Sequence, residues 1–213
     1  MQTEKGQSIE DASMELIERE IGSHNYNKKE WQIVRRIIHS TADFDFAGKN
    51  RIIFSEKAIE SGINALKNGC SIVVDVNGVI GGLNKKNLKD FGNKVVCNIS
   101  SKEVMEIAKK EKKTRSEVSM RLASSDINSG IIAIGNAPTA LLEVIQMVKE
   151  GIVKPALIIG MPVGFICAAE SKEELSKLEE APFITNIGRK GGSSSVSATI
   201  NAIFKLIRAE SSF

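Results

Sequence analysis

The sequence predicts an α/β fold, a parallel sheet of about five strands flanked by helices and preceded by a helical segment. Three observations carry it. Five short apolar runs recur: Ser71–Val76, Lys94–Ile99, Gly130–Ile134, Pro155–Gly160 and Phe183–Ile187. Most of them are followed by a helix-like stretch. The runs are rich in Val and Ile with no polar alternation, as strands buried on both faces require.

Each element has a local reason. A polar helix is expected near Ser8–Ile21 and a second near Lys28–Ser40. A third, Ser55–Asn68, is expected to start at a Ser cap and to stop before Gly69. The helix Pro138–Glu150 has Pro at an early position, where its missing N–H costs nothing, and Gly151 as its stop. The last strand, Phe183–Ile187, runs into the basic glycine-rich turn Gly188-Arg-Lys-Gly-Gly192, which opens a helix. No internal repeat or long linker divides the chain, so residues 1–213 are expected to form one domain.

With 42% apolar and 26% charged residues, the composition is that of an ordinary globular protein. A formal charge of +3 and a pI near 8.7 are mild. They suit an anionic small molecule better than a nucleic acid, which needs a dense basic stripe with aromatics to stack on. One Trp, one Tyr and eight scattered Phe supply no such platform. The first residues lack the apolar stretch of a signal peptide, and no run approaches the ~18 apolar residues of a membrane span. Cys70, Cys97 and Cys167 lie far apart beside apolar segments, so they are expected to be buried, reduced thiols of a cytoplasmic protein.

In an open parallel sheet, ligands bind beyond the carboxyl ends of the strands. Those ends carry Asp75-Val-Asn-Gly78, Gly135-Asn-Ala-Pro-Thr139, Gly160-Met-Pro-Val-Gly164 and Gly188-Arg-Lys-Gly-Gly192. In the last of these loops the amides of Gly191, Gly192 and Ser193 are expected to be free at a helix start, beside Arg189 and Lys190. Amides, helix dipole and full charges together suit an anion. The same glycines also suit a plain strand–helix connector.

His39 is one of only two histidines. At about 100° per residue, Trp31, Ile33, Val34, Ile37 and Ile38 share one arc of the helix, while Arg35, Arg36 and His39 fall on the other. His39 is thus no core residue; it is either a solvated surface group or part of a polar site. Asp43 and Asp45 follow the helix and could orient its imidazole, cap the turn or lie in solvent. His24 reads as a loop surface residue. Arg115 follows the lysine-rich run Lys109–Lys113, as a further surface charge or as an anion clamp at the strand ends. The chain has no metal-ligand cluster, nucleophile elbow, Walker-type loop or nicotinamide-binding glycine fingerprint.

Four motifs together resemble the precorrin-8X methylmutases. They are Arg36-Ile-Ile-His-Ser-Thr-Ala-Asp-Phe-Asp-Phe46, Ile134-Gly-Asn-Ala-Pro-Thr-Ala-Leu141, Gly160-Met-Pro-Val-Gly-Phe165 with Ala168-Ala-Glu-Ser-Lys172, and Gly188-Arg-Lys-Gly-Gly-Ser193. The resemblance runs from about Ile9 to Ile203, with the motifs in the family's order. It implies a Rossmann-like fold, a homodimer with shared active sites, and no cofactor. It also implies an isomerase that moves a methyl group from carbon 11 to carbon 12 of precorrin-8X or cobalt-precorrin-8, giving hydrogenobyrinate or cobyrinate. The family's histidine falls on His39 as the general acid, and the arginine of the same motif on Arg36. Its substrate-contacting serine falls on Ser13, and Arg115 and Arg189 match further basic positions, with Lys190 beside them in the turn. Met14, Gly78 and Cys167 depart from the pattern and bear on pocket shape.

The chemistry agrees with this residue set. A methyl shift within a conjugated ring needs no nucleophile, redox cofactor or catalytic metal. Protonation of a ring nitrogen favours it, and histidine can supply that proton near neutral pH. Acetate and propionate groups on the macrocycle rim suit arginines and helix N-termini. Two other readings are a corrinoid carrier that turns nothing over, and an enzyme for a phosphorylated metabolite that uses the turn as an anion nest.

Overall fold

The structure, a computed structural model, describes residues 3–210. In chain order the elements are α1 (Glu4–Ile21), α2 (Lys28–Thr41), a 3-10 turn at Phe44–Phe46, β1 (Ile52–Phe54), α3 (Ala58–Lys67), β2 (Ser71–Val74), α4 (Asn77–Gly82), α5 (Lys85–Phe91) and β3 (Lys94–Val96). There follow α6 (Lys102–Glu111), α7 (Arg115–Leu122), α8 (Ser124–Ile127), β4 (Ile131–Ile134), α9 (Pro138–Lys149), β5 (Leu157–Gly160), α10 (Ala168–Ser176), β6 (Phe183–Asn186) and α11 (Ser193–Glu210). The strands form a six-stranded sheet in the order β1-β6-β5-β4-β2-β3. All neighbours are parallel except β1, which pairs antiparallel with β6.

The five expected strands are present. The additional strand, β1, is three residues long, so its apolar signal is too short to stand out from the polar turns around it. Its outer edge is covered: the Tyr26 hydroxyl accepts from the Ile52 amide and donates to the Ile52 carbonyl, both at 3.1 Å.

Alternate residues of the strands enter two apolar layers. Ile131 and Ala133 pack with α2, α3 and α11, while Ile132 and Ile134 pack with α7, α9 and α10. The strands β4, β5 and β6 are buried along their whole length, which is why they read as unbroken apolar runs. Helix α2 is fixed firmly against the first layer. Trp31, Ile33, Val34, Ile37 and Ile38 are buried, and Asn27 and Glu30 close a capping box at its start. The Trp31 indole N–H and Arg35 both bond Glu18 of α1, at 2.8 and 3.2 Å. No helix among the described residues is long and apolar enough to cross a membrane.

Three local expectations are corrected. Ser55 does not cap α3, which begins at Ala58 after Lys57 in a left-handed conformation. The Ser55 hydroxyl instead accepts from the Phe183 amide at 2.7 Å, fastening the end of the β1–β6 pair. The cysteines are not all buried: Cys70 and Cys97 are half-buried and Cys167 is exposed. Cys167 takes φ 58° at the head of α10. Burial pushes the Cys70 thiol up to about 11 and raises Cys97 as well, which disfavours the thiolate form in both. His24 is a loop residue but not a simple surface one. Its ring stacks on Trp31 with centroids 3.9 Å apart.

Candidate active site

The strand-end loops meet as the sheet topology requires. A Cβ at Gly135 would lie 2.9 Å from the backbone of Gly192 and Ser193, so β4 ends directly against the start of α11. A side chain at Gly191 would overlap the Met161 carbonyl beyond β5. Backbone bonds complete the junction. Gly192 donates to Met161 O at 2.9 Å, Val163 to Gly135 O at 3.3 Å, and Gly164 to Arg189 O at 3.2 Å.

Asp75, at the end of β2, joins a further strand to the same edge. Its buried carboxylate accepts from the amides of Gly135, Asn136 and Ala137 at 3.1, 2.7 and 2.7 Å. Burial raises its pKa, and those three N–H bonds oppose the rise. Asp75 therefore shapes the Gly135–Thr139 loop. Its position directly after an apolar run was the available sequence signal.

The amides of the basic turn differ in part from expectation. The Gly192 N–H is bonded to Met161, which leaves those of Gly191 and Ser193 at the opening of α11. Lys190 reaches back to the residues after α2, with Nζ 2.7 Å from both Asp43 and Asp45. The Asp43 and Asp45 carboxylates raise the Lys190 pKa, and Lys190 in turn holds Asp45 below its usual range. The two aspartates thus grip the turn; neither bonds His39. Asp43 also caps the 3-10 turn by accepting from the Asp45 amide at 3.0 Å.

His39 sits half-buried near the end of α2. The following residue, Ser40, places its hydroxyl 3.5 Å from the Ser194 carbonyl, so the imidazole end of α2 meets the N-terminal end of α11. Arg36, one turn earlier, bonds Glu10 of α1 at 2.7 Å, and Lys205 of α11 reaches the same carboxylate at 3.0 Å. Burial lowers the His39 pKa; Arg36 and Lys205 lower it further, and Glu10 opposes them. Ser13 lies on α1, its hydroxyl donating to Ile9 O at 2.7 Å. Glu10 stands in the Ile9-Glu-Asp-Ala-Ser-Met14 segment that carries Ser13, a sequence signal that by itself assigns Glu10 no role.

Arg36 and His39 therefore share the polar face of α2, the segment after α2 holds Lys190, and Ser13 lies on α1 three residues from Glu10, the partner of Arg36. Arg189 is exposed in the turn, its guanidinium 5.8 Å from the centre of the Phe165 ring. Arg115 is exposed at the start of α7, in the opposite layer. Thr114, its neighbour, lies 3.0 Å from Thr139 through their hydroxyls, which brings this helix start to the same strand-end edge. A cavity of about 760 Å³ elsewhere, lined by His24, Tyr26, Phe44 and Arg51 at the β1 edge, contains none of these residues. The site is an open polar surface with an apolar rim of Val163, Phe165 and Ile166, the last two 81% and 80% exposed.

Comparison with known proteins identifies the family. Residues 8–206 match the family described as CbiC, precorrin-8X methylmutase. A cobalt-precorrin-8 methylmutase of Leptospira interrogans serogroup Icterohaemorrhagiae serovar Lai is 47% identical over 96% of this chain and 95% of its own. One from Priestia megaterium is 49% identical over 94% of this chain and 88% of its own. The crystal structure of a precorrin-8x methyl mutase from Thermus thermophilus superposes with a TM-score of 0.88 at 37% identity, covering 96% of this chain and 98% of that one. With residues 8–206 matched by the family and the fold matched over 96% of its length, the chain belongs to the precorrin-8X methylmutase family, isomerases of cobalamin biosynthesis.

Proposed function

We propose that this chain converts cobalt-precorrin-8 by moving a methyl group from carbon 11 to carbon 12, with His39 as the proton donor. Three relatives more than 40% identical to it are named for the cobalt form. Cobalt enters as part of the substrate. The observation that carries the acid role is the setting of His39, held on a rigid helix between the Arg36 guanidinium and the start of α11.

The free enzyme holds its imidazole neutral over a wider pH range than an ordinary histidine, because burial and Arg36 disfavour the cation. The carboxylates of the substrate reverse that bias when they dock beside it. His39 takes up a proton as the anionic ligand arrives, donates it to a ring nitrogen, and recovers it after the methyl group has migrated. Protonation withdraws electron density from the conjugated system and favours the migrated isomer. A positioned acid supplies about 10² to 10⁴ in rate. The remainder comes from holding the macrocycle in a reactive shape.

Substrate carboxylates are held by Arg36, Arg115, Arg189 and Lys190, with Ser13 as a hydroxyl contact. The Gly191 and Ser193 amides at the start of α11 add neutral donors. The enzyme is a cytoplasmic homodimer with shared active sites. Two features support the dimer: the exposed Phe165 and Ile166 beside the turn, and the placement of Arg115 in the opposite layer from His39.

The test is conversion of cobalt-precorrin-8, followed by visible spectrum for wild type and His39→Ala. Conversion by wild type and its loss in the variant supports the reading. Tight binding without conversion makes the protein a corrinoid carrier instead. Conversion at the wild-type rate by His39→Ala removes the acid from this residue.

A further inference from the structure

Lys172 of α10 is 1% exposed and makes no ion pair among the described residues. Its ammonium donates to the Lys190 carbonyl at 2.6 Å and, more weakly, to the Asn186 side-chain oxygen at 3.3 Å. Asn186, equally buried, donates its amide to the same Lys190 carbonyl at 2.9 Å and to Ile187 O at 2.9 Å. Two buried side chains therefore converge on one carbonyl of the basic turn. A cation buried without a carboxylate is a poor stabilising device, because desolvation penalises the charge and no opposite charge offsets it. The same burial lowers the Lys172 pKa to about 8. Fold stability alone does not account for this side chain.

We propose that Lys172 is a positioning residue: from beneath the sheet edge it fixes the Lys190–Gly191 peptide, and so aims the basic turn at the substrate. The inference rests on the isomerase reading of that turn. Gly188, Gly191 and Gly192 take φ of 77°, 154° and 123°, so this segment has backbone freedom that side-chain-bearing residues lack. Its conformation has to be imposed from outside. On the α2 side, Asp43 and Asp45 hold the Lys190 ammonium. On the α10 side, Lys172 and Asn186 hold the Lys190 carbonyl. In a trans peptide the N–H points opposite to the C=O. Holding that carbonyl toward α10 turns the Gly191 N–H away from α10, where no group among the described residues accepts it. The Lys172 charge also lies directly under the anion-binding turn.

The experiment is steady-state turnover of cobalt-precorrin-8 by the full chain. Lys172→Met keeps the aliphatic stem and removes the ammonium. The inference expects KM to rise about tenfold with kcat within about threefold of wild type, the pattern of lost uniform binding. Lys172→Arg, which restores a cationic donor, is expected to recover part of that KM. Asn186→Ala should raise KM as well, and the double variant should fall short of the product of the two effects, because both residues act on one carbonyl. A wild-type KM in Lys172→Met, with only a lower melting temperature, overturns the inference, and so do independent effects in the double variant. If Lys172→Met does not fold, Asn186→Ala decides by the same KM criterion. Failure of the wild type itself to convert the substrate removes the isomerase reading. Conversion by wild type with unmoved KM in the variants removes only the role of Lys172.

Discussion

Helix α2 and the turn Gly188–Gly192 both belong to the proposed site, and they are held in opposite ways. The helix buries a continuous apolar face of five residues and carries His39 on its polar side. The turn is rich in glycine and is gripped by polar groups, with Asp43 and Asp45 on one flank and Lys172 and Asn186 on the other. Apolar packing fixes position and is insensitive to what binds nearby. Ion pairs and hydrogen bonds can be exchanged for those of an anionic ligand. On the proposed reading, the acid and Arg36 stand on a rigid element, while Arg189 and Lys190 stand on a segment whose contacts can be traded.

If that division holds, the largest effect belongs to His39→Ala. Its kcat for cobalt-precorrin-8 should fall about 10² to 10⁴-fold, while affinity for the corrinoid product stays within about threefold. A variant that binds poorly but turns over normally would reverse the assignment. Next comes the rigidity itself. Ile37 is fully buried in α2, and Ile37→Ala should cost roughly 2–5 kcal/mol in chemical unfolding. A loss below about 0.5 kcal/mol, within the range of ordinary surface substitutions, would show that α2 is not a fixed element.

What could be seen in advance follows the same division. Long or apolar elements were legible: the core strands, the polar and apolar sides of α2, and the stops at Gly69 and Gly151, which take φ of 69° and 70°. Three of the four motifs directly follow β4, β5 and β6, and the fourth ends where Asp43 and Asp45 meet Lys190. Contacts between distant side chains were not legible. Nothing near Asp43 or Asp45 indicates that their partner is Lys190 and not the nearby imidazole. Lys172 looks like any lysine on a polar helix until the fold buries it. Ser55 has the pattern of a helix cap, and the sheet edge claims its hydroxyl first. Periodicity carries local burial, while pairing across more than a hundred residues depends on topology.

Arg36 tests the boundary between the two modes, since it stands on the rigid helix yet acts through charge. Its guanidinium is paired with Glu10, whose side chain is only 12% exposed. Arg36→Ala should weaken product binding about tenfold at low ionic strength, with the deficit shrinking as salt is raised and charge interactions are screened. Fluorescence or absorbance titration at two salt concentrations measures this. Equal affinity in variant and wild type would place the carboxylate contact elsewhere.

The smallest effect is the most local, and it tests whether the helix senses the ligand at all. In the free enzyme His39 should titrate below its ordinary value of 6.5, chiefly from burial and then from Arg36. A depressed histidine contributes its share of stability fully above the unfolded value near 6.5. It loses that share as pH falls toward the folded value, because the unfolded chain binds the proton more readily. Arg36→Ala should raise the His39 pKa, and a neutral Glu10→Gln should lower it further, since the carboxylate opposes the other influences. Imidazole NMR signals in free and product-bound protein follow both shifts, with the polycarboxylate product expected to move the value upward. A His39 pKa that ignores Arg36, Glu10 and product alike would separate the imidazole from the charges around it. Binding and proton uptake would then be independent events, and the open, anion-lined edge would serve only to capture the substrate.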